Sequence, residues 1–264
     1  MSFILVTNDD GVDSPALPAL IRALEKRWPV RAVVPSRERS WIGKAISRWQ
    51  DIRVECIERD GVEIHSVDGF PADCTQLGVH SLFEEKPEMV VSGINVGFNH
   101  GLAFFLSSGT VGAACEGWIA GLPAIAFSSG VSRGHNAWAK EAWSEESGPL
   151  WARMSAIATD IVGDLRRVGS PEEADLLTVN IPEAAEVSTP RVVTALAKVG
   201  YDSLFRRQSE GLYVHDFSGG FSRVHELEGT DLETDARGFV SITPVRLAHS
   251  VPLPDPTRRA LERA

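Results

Sequence analysis

Apolar positions along this chain change period repeatedly, and each change marks an element. Residues 3–7 form a short, partly β-branched apolar run that stops at Asn8-Asp9-Asp10-Gly11, a group that favours a turn, so a first strand is predicted there. Ser14-Pro15 supplies an N-cap residue followed by proline at the first helical position. Leu17, Leu20, Ile21 and Leu24 then recur at helical spacing, which predicts a helix ending near Trp28-Pro29. Residues 30–34 read as a buried strand that opens at Pro35 onto the loop Ser36-Arg37-Glu38-Arg39-Ser40. Segments 52–56 and 62–67 flank Arg59-Asp60-Gly61 and predict a hairpin with an Asp-Gly turn.

Helical spacing resumes over 71–83, and the apolar run 89–91 predicts a strand that stops at Ser92-Gly93. After a glycine-rich loop, Val111, Ala114, Cys115, Trp118 and Ile119 fall at i, i+3, i+4, i+7 and i+8, one face of a helix that ends at Gly121. Segments 124–127 and 176–181 read as strands, with a long helix at about 152–168 between them. Strands alternating with helices over short links predict the α/β class, a mostly parallel sheet wound with helices. From Arg191 the helical signal fades, and alternation at 212–217 and 239–245 predicts a β-rich arm over roughly 190–247. The tail from Pro252 reads as a short helix or an irregular end.

Length and charge narrow this picture. With 264 residues against a prior of roughly 150 per domain, the chain is read as one α/β domain carrying the arm. The formal net charge of −10 repels a nucleic-acid polymer or an anionic membrane, so any phosphate-bearing partner has to be held by local chemistry. Cys56, Cys74 and Cys115 are odd in number and lack Cys-x-x-Cys spacing, which argues against a disulfide framework and a thiolate zinc site. The seven histidines show no i, i+4 pair, so a histidine zinc site is not expected. No signal peptide is visible and no apolar run approaches the roughly 20 residues that span a bilayer, so the cytoplasm is the expected location.

Ligands in such sheets bind beyond the carboxyl ends of the strands, and three segments there carry chemistry. Asp9-Asp10 presents adjacent carboxylates with no basic neighbour, a donor set that suits magnesium, manganese or calcium; a solvated turn beside a helix start is the plain alternative. Ser92-Gly93-Ile94-Asn95-Val96-Gly97-Phe98-Asn99-His100-Gly101 is not a dinucleotide fingerprint, but Asn95 and Asn99 offer carbonyls to a cation or amide donors to a phosphate. Ser107-Ser108-Gly109-Thr110 sits directly before an amphipathic helix, where free N–H groups and the positive dipole end can hold one phosphate. Gly130-Val131-Ser132-Arg133-Gly134 matches the Gly-x-Ser-x-Gly pattern of serine hydrolases, with His215 and His225 as partners on paper, although a Ser- and Gly-rich loop meets that pattern by chance. Asp9, Asp10 and Asp13 lack the Asp-x-Asp spacing of aspartyl-phosphate enzymes.

These motifs together resemble the SurE family of metal-dependent 5'-nucleotidases. The resemblance is carried by Ile4-Leu5-Val6-Thr7-Asn8-Asp9-Asp10-Gly11 and by Ser92-Gly93-Ile94-Asn95 with Gly97 and Asn99. Pro71-Ala72-Asp73-Cys74, Ser108-Gly109-Thr110-Val111, Glu116-Gly117, Thr230-Asp231 and the run 238–244 extend it across nearly the whole chain. It implies a Rossmann-like core, a C-terminal arm used in forming a homodimer or homotetramer, and hydrolysis of nucleoside monophosphates with one divalent cation, Mn2+ or Mg2+. It further implies that Asp9, Asp10, Ser40 and Asn95 hold the metal, and that Asn99, Ser108, Gly109 and Thr110 surround the phosphate. Asp9 or Asp10 would orient or deprotonate the attacking water. Ser40 enters this set through the resemblance alone. The chain departs from the pattern at Trp41, where the family continues with small residues, at Ser36, where an acid is common, and over 133–146, which matches no family motif. A serine esterase using Ser132, or a non-catalytic nucleotide or phosphate sensor, are the alternatives.

Overall fold

The computed structural model describes residues 2–132, 134–216, 226–247 and 249–262. Its centre is a nine-stranded sheet in the order β3-β4-β2-β1-β5-β6-β7-β11-β8. The strands are β1 (Phe3–Thr7), β2 (Val30–Pro35), β3 (Val54–Arg59), β4 (Val62–Val67), β5 (Pro87–Val96), β6 (Ala124–Gly130), β7 (Leu176–Pro182), β8 (Arg191–Val193) and β11 (Val240–Val245). Six neighbouring strands, from β4 through β2, β1, β5 and β6 to β7, run parallel. β3 joins β4 antiparallel, and β11 joins β7 antiparallel and β8 parallel. A separate two-stranded ribbon is made by β9 (Phe205–Ser209) and β10 (Leu212–His215).

Helices cover both faces, because parallel strands buried on two sides need an apolar layer on each. One face carries α1 (Ala16–Glu25) and α6 (Gly148–Val168), whose Leu17, Leu20, Leu24, Trp151, Met154 and Ile157 share a core with Ile4, Val6 and Val91. The other carries α2 (Pro71–His80) and α4 (Gly109–Ile119), packing Cys74, Val79, Val111 and Ala114 on Leu5, Val33 and Val90. Among the described residues there are four shorter α-helices, α3 (Gly101–Ser107), α5 (His135–Ala142), α7 (Asp231–Ala236) and α8 (Asp255–Leu261), and a single 3-10 turn at Glu145–Ser147. Among the described residues no single helix is long and apolar enough to cross a membrane.

Several expectations need adjustment. Ser14 does not cap α1: the N-cap is Pro15, with no side-chain cap bond, and Ser14 instead offers its carbonyl to Arg59 at 3.0 Å. The first hairpin strand is 54–59 rather than 52–56, because Asp60 and Gly61, with φ of 51° and 75°, form a two-residue turn that pairs Arg59 directly with Val62. β5 does not stop at Ser92-Gly93; its register to β6 shifts after Ser92 and pairing resumes at Asn95 with Ser128. The region 190–247 is not one arm, since β8 and β11 join the main sheet and α7 lies between the ribbon and β11. Separate β structure is confined, among the described residues, to β9 and β10, and Phe217 lies outside those residues.

Candidate active site

Strand order reverses between β1 and β5, and the loops leaving their carboxyl ends meet there. The turn after β1 is closed by Asn8, whose side chain donates to the Gly11 carbonyl at 3.0 Å and accepts from the Gly11 N–H at 3.1 Å. Gly11 has φ +81°, and a Cβ there would lie 2.6 Å from the Arg37 carbonyl carbon, so the turn fits against the loop after β2 only with glycine. This turn places Asp9 and Asp10 inside the protein, 3% and 5% exposed. Asp10 accepts the Val96 N–H at 3.1 Å, which joins the ends of β1 and β5. Asp9 accepts the Thr110 hydroxyl, and its carbonyl accepts the Arg39 N–H at 2.7 Å.

The amino end of α4 faces the same carboxylates. A Cβ on Gly109 would sit 2.7 Å from the Asp9 Cβ, so the helix start approaches Asp9 more closely than any other residue type allows. Ser108 caps α4 by accepting the Val111 N–H at 3.2 Å. Asn99 is buried and belongs to the wall behind: its N–H reaches the Asn180 side chain at 2.9 Å and its amide donates to Ser128 at 2.8 Å. The C-terminal segment braces that loop, since the Asp231 carboxylate accepts the Gly101 N–H at 2.7 Å and Asp235 meets His100 at 2.8 Å.

Burial controls the electrostatics. Desolvation pushes the Asp9 carboxyl up to about 6, partly offset by the Thr110 hydroxyl and the N–H groups at the start of α4. Asp10 is pushed well above the usual carboxylate range by burial, then by the Asp9 charge and that of Glu38, against the Val96 hydrogen bond. Among the described residues neither carboxylate forms an ion pair. The Asn95 amide nitrogen is committed to the Gly97 carbonyl at 2.7 Å, so its oxygen is the atom left to act as a ligand. Two buried carboxylates without a counter-charge, beside an amide oxygen, match the donor chemistry of a hard divalent cation.

The structure therefore brings together Asp9, Asp10, Ser108, Gly109 and Thr110, with Asn95 one residue from the Asp10 contact. Ser40 is exposed and its hydroxyl donates to Glu38 Oε1 at 2.6 Å. Glu38, in the loop after β2, and His135, one of the seven histidines, are not among the site residues that the sequence singles out. Glu38 carries no motif of its own and is noticed through its field on Asp10 and its bond to the Ser40 hydroxyl. The His135 imidazole fills the space where a side chain at Gly97 would begin, and desolvation lowers its pKa. Only the end-of-strand position of their two loops in the sequence hinted at either residue. Ser132 makes no hydrogen bond to a histidine among the described residues, His215 packs on Trp41, and Arg133 and His225 lie outside those residues.

The family model described as "Survival protein SurE" matches residues 4–203. The 5'-nucleotidase SurE of Methanocella arvoryzae is 36% identical over 252 residues, covering 92% of this chain and 91% of the relative. That of Geobacter metallireducens is 37% identical over 248 residues, with coverage of 92% and 91%. The crystal structure of the SurE protein from Aquifex aeolicus superimposes with a TM-score of 0.73 at 32% identity, covering 94% of both chains. The Asp9-Asp10 turn and the helix start facing it thus lie inside the matched region, and the chain belongs to the SurE family.

Proposed function

We propose that this protein is a divalent-metal-dependent phosphomonoesterase that hydrolyses nucleoside 5'-monophosphates to nucleoside and phosphate. The relatives named 5'-nucleotidase SurE support the reaction. The observation that carries the site is the pair of buried carboxylates set against the amino end of α4. Asp9, Asp10 and Asn95 hold the cation, Mn2+ or Mg2+, joined by Ser40 once its hydroxyl turns from Glu38. When bound, such an ion offsets the carboxylate charge and supplies Lewis-acid polarisation of the phosphoester. The chain itself supplies the anion cradle: the N–H groups of Gly109 and Thr110, with the side chains of Ser108 and Asn99, orient the phosphate oxygens. One of Asp9 and Asp10 takes the proton of the attacking water. The test is hydrolysis of p-nitrophenyl phosphate and nucleoside monophosphates with Mn2+, with chelator, and in Asp10→Asn. Activity that survives both chelation and the substitution overturns the proposal, and Ser132→Ala is expected to change nothing.

The proposal takes the chain as one α/β domain acting in the cytoplasm as a homodimer or homotetramer. The ribbon supports assembly, because Phe205, Leu212 and Tyr213 are 61%, 49% and 59% exposed in a single chain. Light scattering on Phe205→Ser with Tyr213→Ser is expected to give a smaller particle than the unsubstituted protein.

A further inference from the structure

A second group of ligand-type side chains lies at the β3 edge of the main sheet. Antiparallel register sets Cys56 on β3 directly opposite His65 on β4, and Glu63, two residues before His65, points to the same face. The Cys56 sulfur, a His65 ring nitrogen and a Glu63 carboxylate oxygen all lie within 4.8 Å of one another. Cys56 and Glu63 are exposed and His65 is half-buried, so an ion can reach all three from solvent. The imidazole is oriented by packing edge-on against Phe83 at 5.1 Å, and Phe83 in turn stands edge-on to Phe3 at 5.2 Å. Two hydrogen-bonded strands thus hold the backbone of three donors, and one donor has its ring direction set.

We propose that Cys56, Glu63 and His65 form a zinc-class divalent-cation site, separate from the Asp9-Asp10 centre. Thiolate, imidazole and carboxylate form a mixed sulfur, nitrogen and oxygen set that suits tetrahedral Zn2+, with water in the fourth position. The Asp9-Asp10-Asn95 set is all oxygen and suits harder ions, so the two places divide metals by softness. Binding converts the Cys56 thiol to thiolate and releases its proton to solvent. Because binding needs the thiolate, affinity rises with pH. The two-residue turn creates this grouping, and neither Cys-x-x-Cys nor paired-histidine spacing reports it.

The test uses the full chain, stripped with chelator and carrying Asp10→Asn to disable the other centre. Titration with Co2+ is expected to produce a thiolate-to-cobalt charge-transfer band at one equivalent, displaced by Zn2+. Cys56→Ser is expected to remove the band, and His65→Ala to weaken binding by about tenfold or more. Cys74 and Cys115 are buried and act as internal controls. Circular dichroism checks that the exposed Cys56→Ser variant is folded, and Mn2+-supported phosphatase activity in the otherwise unsubstituted chain is expected to be unchanged by it. A band that persists in Cys56→Ser, or no band in the Asp10→Asn chain, overturns the proposal.

Discussion

Trp41 stands edge-on to His215, with ring centroids 5.0 Å apart and an interplanar angle of 62°. The pair links the β9-β10 ribbon to the loop whose Arg39 N–H holds the Asp9 carbonyl. Tyr201 and Phe104 pack on the same indole at 5.6 Å each, and Trp41 itself has φ +58°. Trp41→Gly relieves the backbone but deletes the contacts. An aromatic pair worth ~1 kcal/mol corresponds to about a fivefold effect, so kcat/KM for nucleoside monophosphates is expected to fall by about that factor or more. Steady-state kinetics with Trp41→Phe, expected to retain activity, separates loss of the ring from a general folding defect.

The uncompensated charge at Asp9 and Asp10 predicts a trade between stability and activity. Asp10→Asn removes one of two repelling buried carboxylates and is expected to raise the melting temperature of the chelator-treated protein while abolishing turnover. Mn2+ is expected to stabilise the unsubstituted chain by mass action and to leave the variant nearly unmoved. Differential scanning calorimetry with and without metal reads both effects.

Gly109 is the point where α4 meets Asp9. Gly109→Ala introduces a Cβ 2.7 Å from the Asp9 Cβ and 3.0 Å from Ile42, so the helix start must retreat. Misplacement of the cradle by about 1 Å is expected to lower kcat/KM by roughly 100-fold. Urea unfolding is expected to show a much smaller proportional change.

Glu116, 2% exposed on α4, receives Gln76 and pairs with Lys44 from the loop beyond Trp41. Lys44→Met leaves this buried carboxylate without its counter-charge and is expected to cost about 3 kcal/mol. Adding Glu116→Gln is expected to restore much of that loss. A double-mutant cycle by denaturant unfolding in which the two substitutions simply add contradicts this account.

Asp235 gives the pH dependence. Burial lifts its carboxyl from 3.8 to about 6, against the hydrogen bond and charge of His100. The folded state therefore binds this proton more tightly than the unfolded chain, so the contribution of Asp235 to stability declines as pH rises from about 4 to about 6. Asp235→Asn removes that decline. Relative to the variant, the unsubstituted protein is expected to lose up to roughly 3 kcal/mol between pH 4 and pH 7, measured by urea midpoints across the range.

Much of the scaffold was legible because its signals are local. Leu17, Leu20, Ile21 and Leu24 show the buried face of α1 directly, and Asp60-Gly61 marks a turn whatever surrounds it. Asp9, Asp10 and Thr110 stood out by type and position, and the fold supplied their meeting across the sheet. What stayed hidden depends on long-range pairing. β5 runs on past Ser92-Gly93 because β6 offers partners at Ser128 and Ser129. β3 keeps its pairing through Glu55 and Glu58 because an edge strand tolerates charge, which blurs the apolar alternation that would reveal it. Glu38 gains its role only through its nearness to Asp10.

The position of β11 orders the assembly of the sheet in time. β8 has β11 as its sheet neighbour, and β11 lies between β7 and β8 although it is made last of the three. A chain leaving the ribosome amino end first can build β1 to β7 through successive local crossovers, whereas β8, among the described residues, has no sheet partner until residues 240–245 are synthesised. A nascent or truncated chain ending before Val240 therefore exposes the open flank of β7, a template for pairing with other copies.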